Sequence, residues 1–261
     1  LPAMSAAGAG LATSSVNWLM FLMALGYIRW NPKYRHYGFW NASWKPNLKL
    51  MKEILVLGLP GAGSLIMEVA YFGATTFLMG TVGTIELAAH QVALNVASLT
   101  FMVPLGLSFA LSIRVGQFAG AGDSEGVRRV RRAGLLASTM IQVSLGLMCL
   151  LFAEQIARIY TPDKAVIDWA SRFLRIAGIF QVFDGFQVLG MGALRGLKDT
   201  LVPFLFNLVA YWVIGWGTSY YLNKVIGPEG IWYGMVFSLG FAAVVHHARF
   251  SILARRTLVR A

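Results

Sequence analysis

The sequence predicts an all-α membrane protein, a polytopic bundle of about seven transmembrane helices. Its 261 residues are 57% hydrophobic and only 13% charged, and the mean hydropathy is +0.63, whereas soluble domains carry about 25% charged residues. A spanning helix needs about 20 mostly apolar residues, and seven windows meet this requirement: roughly 5 to 28, 53 to 80, 87 to 113, 134 to 157, 167 to 194, 200 to 222 and 230 to 250. These long unbroken runs favour helices over the alternating strands of a membrane β-barrel.

The first window does not resemble a cleaved signal peptide. Residues 1–30 lack a charged segment at the start and a small-residue cleavage site, so we expect the chain to begin within or just before a helix of a longer protein. The single cysteine, Cys149, lies in an apolar run without a second cysteine or metal-ligand spacing. This excludes an intrachain disulfide and a zinc site.

The basic residues fall mainly on one side of the predicted membrane. Windows one, three, five and seven are followed by 17 of the 22 Lys and Arg residues, and the positive-inside rule places that side and the C-terminus in the cytoplasm. The net charge of +11 therefore reflects the orientation of the helices in the membrane. We predict no nucleic-acid partner, because no basic surface interleaved with aromatic residues lies outside these connections.

The segments that connect the seven windows predict structural features and no ligand-binding site. The longest, about residues 31–52, is rich in aromatic and basic residues and is predicted to be a cytoplasmic linker on the membrane surface. Residues 116–132 form a glycine-rich predicted loop, but no strand precedes it and no P-loop Lys-Ser/Thr follows. Pro60 and three glycines near the start of the second window predict a bend there.

Two acidic residues lie deep inside predicted spans. Of the eleven Asp and Glu residues, nine fall in loops or near helix ends, which leaves Glu68 and Asp184. An ionised side chain at the centre of a membrane helix costs about 2.5–3.5 kcal/mol on insertion scales, and such residues are usually functional. No Lys or Arg is expected at a similar depth to pair with either acid. The alternative is an interhelical hydrogen bond that only locks the bundle.

Helical spacing predicts which side chains accompany the acids. Asp184 shares a face with two amides and an aromatic ring, and Glu68 shares one with a hydroxyl and aromatic rings. The third window carries a polar stripe at helical spacing, formed by Gln91, Asn95 and Ser98. We therefore expect three helices to turn polar faces inward.

Three runs of the sequence closely resemble the C-terminal half of multidrug and toxic compound extrusion (MATE) transporters of the NorM-like branch. They are LGLPGAGSLIMEVAYFGATTFLMGTVG, the run that begins ELAAHQVALNVAS and contains SIRVGQFAGAGD, and FQVFDGFQVLGMGALRGLKDT. The resemblance extends from about Lys52 to the end, and residues 1–30 resemble the helix that precedes the lobe boundary.

The resemblance implies a transporter rather than an enzyme, with twelve helices in two six-helix lobes that form a V and open alternately to either side. In this frame residues 1–30 are the last helix of the N-terminal lobe, residues 31–52 the cytoplasmic interlobe linker, and residues 53–261 the C-terminal lobe. The implied partners are organic cations, the lipid bilayer and the missing N-terminal lobe, and the implied location is the bacterial inner membrane. No cofactor is implied beyond a coupling ion.

The resemblance also assigns roles to the two acids. Glu68 and Asp184 fall on the membrane carboxylates that NorM-like members use for cation binding and coupling, with the ion either H⁺ or Na⁺. Phe180 stands where some sodium-coupled relatives have a tyrosine, so one phenol oxygen is lost. A proton, a sodium ion and an organic cation can compete for a carboxylate in a low-dielectric cavity, and aromatic faces attract organic cations. The predicted lining residues of this cavity are Phe72, Gln91, Asn95, Phe180, Phe183 and Gln187.

Three other functions are compatible with parts of the pattern. A lipid-linked precursor flippase of the same superfamily would need buried basic residues for a pyrophosphate, and none is expected in these spans. An intramembrane aspartyl protease would use two acids as a dyad, but its GxGD signature is absent and one acid is a glutamate. A membrane scaffold would keep its function after both acids were neutralised.

Overall fold

The computed structural model describes residues 5–32, 34, 38 and 46–258 of the chain. The chain divides into two compact units, residues 1–51 and residues 52–261. Helix α1 (Ser5–Trp30) belongs to the first unit, and α2 (Leu48–Gly80) starts at its end and continues into the second. The second unit contains both buried acids.

The second unit is helical throughout its described part. After α2 come α3 (Thr84–Gly120), α4 (Ser124–Leu151), α5 (Ala153–Tyr160), α6 (Lys164–Gly196), α7 (Leu201–Leu208), a π-helical segment (Val209–Gly215), α8 (Trp216–Ile226) and α9 (Glu229–Leu258). Over the described residues of the whole chain, seven helical stretches are long and apolar enough to cross a membrane. The predicted all-α class and the number of spans are confirmed.

The boundaries of the fourth span differ from the prediction. Residues 116–132 do not form a loop, because α3 continues to Gly120 and α4 already begins at Ser124. Gly122 adopts a left-handed φ of 71° in the short turn, and the Asp123 side chain caps α4 by accepting a hydrogen bond from the Gly126 amide at 2.8 Å. The arginines that follow are therefore on the first turns of α4, and the helix ends at Leu151 rather than at 157.

Half of the predicted interlobe linker lies outside the described residues, namely 33, 35–37 and 39–45. Its last residues belong to α2, which begins at Leu48 rather than at 53. The Asn47 side chain accepts hydrogen bonds from the Lys49 and Leu50 amides, at 3.1 and 3.2 Å. This helix cap explains why α2 starts earlier than hydropathy alone indicates.

Helix α6 is the central helix of the second unit. In its most apolar stretch 78% of residues are buried, against 33% or less in the other described spans. Glycines allow the close approach: a Cβ atom on Gly178 would lie 2.7 Å from the Gly146 carbonyl oxygen of α4, and one on Gly192 would lie 2.6 Å from the Ser108 carbonyl oxygen of α3. The sequence places Asp184 near the middle of this most buried helix.

Two apolar clusters surround α6, and Asp184 lies between them. The first cluster includes the α6 residues up to Phe180, together with Tyr71, Tyr211 and Trp232. The second includes the α6 residues from Val188 onward, together with side chains of α3, α4 and α9. The aspartate therefore occupies a polar layer between two hydrophobic regions.

Candidate functional site

The two membrane acids lie in one buried site. Glu68 on α2 is 5% exposed and Asp184 on α6 is 4% exposed. Their carboxyl groups are near enough for the charge of Glu68 to act on Asp184. The structure thus brings together two residues that are 116 positions apart in the sequence.

An aromatic contact lies on one side of the acid pair. Phe72, one turn after Glu68, packs edge-on against Phe180, one turn before Asp184, with ring centroids 6.0 Å apart. Phe180 also packs against Trp232 of α9 at 5.8 Å. These contacts join α2, α6 and α9 around the site.

A hydrogen-bonded aromatic contact also ties α2 to α6 at the acid pair. The rings of Tyr71 on α2 and Tyr211 on the π-helical segment stack with centroids 5.4 Å apart. Gln187, one turn after Asp184, donates a hydrogen bond from Nε2 to the Tyr211 hydroxyl oxygen at 3.0 Å. The charges of both Glu68 and Asp184 act on the Tyr211 phenol, so this tyrosine belongs to the site.

The acid pair has no counter-ion among the described residues. The five ion pairs in that part of the chain all involve other acidic residues, and Asp184 Oδ1 is buried without a hydrogen-bond partner. Two carboxylates in one low-dielectric site repel each other, and an unpaired buried charge is strongly unfavourable. A proton or a small cation on the pair would remove that repulsion.

The predicted lining residues divide into two groups. Phe180 and Gln187 are buried, Phe72 is half-buried, and Phe183 is 36% exposed. Gln91 and Asn95 are exposed on α3, and Asn95 Oδ1 accepts a hydrogen bond from the Tyr160 hydroxyl at 2.8 Å. Small apolar residues such as Ala89 and Ala93 take the face of α3 that is buried within this unit, so the polar stripe lies on its exposed face. A role in lining a cavity stays a prediction for all six.

Sequence reasoning placed one of the two tyrosines and missed the other. Helical spacing put Tyr71 on the face of Glu68, three positions after it, although Tyr71 was not among the predicted site residues. Tyr211 has no such local signal, because it lies 27 residues after Asp184 on another element. Its position in a π-helical segment, a backbone form that often occurs at functional sites, is visible only in the structure.

No Lys or Arg is among the buried side chains of the described residues, and one arginine near the start of α4 is half-buried. Arg131 lies within the span that contains α4, is half-buried, and has a side-chain nitrogen with no partner. Its guanidinium lies over the Phe250 ring at 4.7 Å, and one terminal nitrogen is 3.2 Å from His247 Nδ1. A cation–π contact and an imidazole acceptor stabilise the charge there, and both contacts connect α4 to α9.

The chain matches known proteins over nearly its whole length. The family model MatE matches residues 60–221. The multidrug resistance protein NorM of Photobacterium profundum is 35% identical over 250 residues, which cover 94% of this chain and 55% of the relative. A probable multidrug resistance protein NorM of Rhizobium meliloti is 38% identical over 264 residues, which cover 98% and 56%.

A solved structure shares the fold. The crystal structure of the eukaryotic MATE transporter AtDTX14 superposes with a TM-score of 0.86 at 20% identity, over 97% of this chain and 58% of that chain. The chain therefore spans a little more than half the length of the proteins that it matches.

Proposed function

This chain belongs to the MatE family of transporters, and from that premise we propose that it is the C-terminal half of a cation-coupled antiporter that exports organic cations by alternating access. The observation that carries the proposal is the buried pair Glu68 and Asp184, which has no counter-ion in the described part of the chain. Membrane proteins rarely keep such groups without a task.

The pair would couple the two ligands by competition for its charge. A proton or Na⁺ that enters from outside neutralises the acids, and an organic cation then loses its electrostatic partner and leaves on the outer side. When the coupling ion leaves toward the cytoplasm, the negative charge returns and attracts the next organic cation. Each ligand thereby lowers the affinity for the other, which is the reciprocal linkage that antiport requires.

The aromatic side chains at the site would recognise organic cations. Phe72 and Phe180 form an edge-to-face pair next to the acids, and ring faces bind cations with about 0.5–2 kcal/mol each. Phe183 is partly exposed one residue before Asp184 and could contact a ligand that approaches from the exposed side of α6.

The full-length protein would supply the part of the transporter that this chain lacks. The N-terminal lobe is proposed to supply the other wall of the substrate cavity, since the chain spans about 55–58% of the relatives' length. The bacterial relatives favour the bacterial inner membrane, and the distribution of basic residues favours a cytoplasmic C-terminus. No cofactor is proposed besides the coupling ion.

The test is ethidium transport by the full-length protein in proteoliposomes under an imposed H⁺ or Na⁺ gradient. Asp184→Asn and Glu68→Gln keep the shape of the side chain and remove its charge. We expect gradient-driven export to fall by about tenfold or more in each, within the 5- to 150-fold range of typical coupling between two ligands. Asp168→Asn is the matched control, because Asp168 lies on the same helix α6 but is exposed.

Each possible result separates the proposal from its rivals. Export that follows one gradient in the wild type, and is lost only in the two buried-site variants, supports the antiporter and identifies the ion. Unchanged export in both variants contradicts the role of the acids. If the wild type shows no gradient-driven ethidium export, the antiporter proposal is contradicted. The flippase and scaffold functions would then be favoured.

A further inference from the structure

A line of buried polar groups leads from the acid pair toward the end of α6 at Gly196. Gln187, Asn207 and His246 are each fully buried, and they come from α6, α7 and α9. Each has one side-chain polar atom without a partner in the protein, as does Asp184: Gln187 Oε1, Asn207 Oδ1, His246 Nε2 and Asp184 Oδ1. Buried polar atoms normally find partners. Gln187 follows Asp184 by one turn and is in contact with His246, so these unpartnered atoms indicate a hydrated path or a path for a proton.

His246 contacts α6 one helical turn after Asp184. Its Nδ1 is 3.4 Å from the backbone oxygen of Gln187, and Gln187 follows Asp184 by three residues, or about 4.5 Å along the helix axis. The Cβ atom of His246 lies so near Gly190 that a side chain there would meet it at 2.8 Å. The imidazole is thus held closely against α6 on the side that leads away from the first apolar cluster.

The hydrogen bond fixes the state of the ring. A carbonyl oxygen only accepts, so Nδ1 of His246 carries the proton in this contact and Nε2 carries the lone pair. The backbone oxygen of Pro203 also acts on the ring, but Nε2 has no hydrogen-bond partner in the protein. His247 differs, because its Nε2 is 3.0 Å from the Phe186 oxygen and its Nδ1 faces Arg131 at 3.2 Å. Both nitrogens of His247 are therefore used in structural contacts, whereas His246 retains a basic nitrogen that can take up a proton.

The line continues to an ion pair near the end of α6. The charges of Asp199 and His247 act on His246, and Asp199 Oδ2 accepts a hydrogen bond from Arg249 Nε at 2.8 Å. Asp199 lies in the turn after α6, whose last residue Gly196 is about 18 Å along the axis from Asp184 at 1.5 Å per residue. The charged groups around His246 are thus His247 on its own helix, Arg131 beyond His247, and the Asp199–Arg249 pair at the turn.

We propose that His246 is a proton relay between the acid pair and the cytoplasmic end of the lobe. The inference rests on the proposed antiport and on H⁺ as its coupling ion. A proton leaves the carboxyl group of Asp184, which becomes a carboxylate, and passes by way of water to Nε2 of His246, which becomes an imidazolium. The same proton then leaves Nε2 for water near Asp199, and the ring returns to its neutral form with Nδ1 bonded to Gln187.

The test uses the full-length transporter in proteoliposomes with ethidium as the probe. His246→Gln removes the titratable ring and keeps a polar side chain, and His247→Gln is the matched control on the same helix. We expect His246→Gln to lower export driven by a pH gradient by about a hundredfold or more, the lower end of the range for loss of a proton-transfer group. Ethidium exchange at equal pH on both sides should stay near the wild-type rate, because it needs no net proton release.

Five results would overturn the relay. Equal losses of driven export and of exchange in His246→Gln would show a structural role, as would the same selective loss in His247→Gln. If His246→Gln exports ethidium under a pH gradient as fast as the wild type, the relay is wrong and the antiport proposal still stands. The same conclusion follows if export by the wild type is driven only by a Na⁺ gradient. If the wild type follows neither gradient, the proposed function fails first, and the relay fails with it.

Discussion

The buried polar groups of this lobe are unequally satisfied. Ser108 and Ser238 are buried, and each donates one hydrogen bond to a backbone oxygen of a neighbouring element, at 2.9 and 2.8 Å, whereas Gln142 makes such a bond and still keeps Oε1 without a partner. Asp184 and His246 each keep one polar atom without a protein partner. In a low-dielectric interior an unpaired polar group is unfavourable by about 1–3 kcal/mol, so its retention points to a role in ligand or proton binding.

Tyr211 should contribute to stability through its hydroxyl group. Tyr211→Phe removes the acceptor of the hydrogen bond from Gln187 Nε2 and leaves that buried amide donor unpaired. We expect the free energy of unfolding to fall by about 1–3 kcal/mol, measured as a lower melting temperature of the purified protein in detergent. Tyr221→Phe is the control, because Tyr221 is 66% exposed, and equal melting temperatures for the two variants would contradict the assigned role of Tyr211.

Local spacing predicted the site only in part. Glu68, Asp184, Phe72, Phe180 and Gln187 could be identified because each lies within four residues of an acid on the same helix, and such residues share a face. Tyr211 and His246 reach the acids across elements that are distant in sequence, so no local pattern marks them. Gln91 and Asn95 were assigned an inward direction because polar residues at helical spacing form a stripe, but the spacing alone does not say which way that stripe faces.

At the scale of elements, glycine determines which helices lie closest to α6. Gly146 and Gly178 face each other, so that a Cβ atom on either would meet the other's carbonyl oxygen. In membranes, helix association depends on such close packing, since lipid is as apolar as the side chains. The close approach of α4 and α6 is what brings Gln142 of α4 within 2.9 Å of the Gln181 backbone oxygen.

The crossing of α4 and α6 should be sensitive to one methyl group. In Gly178→Ala the new Cβ atom would lie 2.7 Å from the Gly146 backbone oxygen, so the two helices must separate. We expect a loss of about 1–3 kcal/mol in the free energy of unfolding, measured as a lower melting temperature. Gly106→Ala is the control, because no atom lies within 4 Å of its new Cβ; there the better helix propensity of alanine should raise stability slightly.

Hydropathy located the spans well but misplaced some of their ends. The windows are defined by apolar length, so the charged first turns of α4 were assigned to a loop. The structure places these arginines on a helix that is capped by Asp123, and α5 forms a separate short helix after Phe152. Capping and helix breaks depend on single side chains and backbone angles, to which a hydropathy window is insensitive.

At the scale of the whole molecule, charge and helix order define two sides. The turns that follow α3 and α6, and the C-terminal end of α9, lie on the side with most of the Lys and Arg residues. That side also carries the contact of Lys198 with Glu53 at 2.8 Å, and the hydrogen bond and charge of Glu53 raise the pKa of the Lys198 ammonium. Lys198 therefore stays positively charged at neutral pH, as the positive-inside assignment of this side requires.

The orientation can be measured with single cysteines. Cys149→Ser provides the background, because a serine oxygen can still accept the hydrogen bond that Gln181 Nε2 gives to Sγ at 3.3 Å. Glu125→Cys and Glu154→Cys then form a matched pair, since each glutamate is exposed and pairs only with an arginine one turn later. Exposed pairs of this kind contribute about 0–1 kcal/mol, so neither substitution should disturb the fold.

A membrane-impermeant maleimide should distinguish the two positions in cells that express the full-length protein. We expect Glu154→Cys to react in intact spheroplasts, because the turn after α4 lies on the side with few basic residues. Glu125→Cys should react only in everted vesicles or after permeabilisation, since the turn between α3 and α4 lies on the basic side. The reverse pattern would place the C-terminus outside, and the proton path through His246 would then lead out of the cell rather than into it.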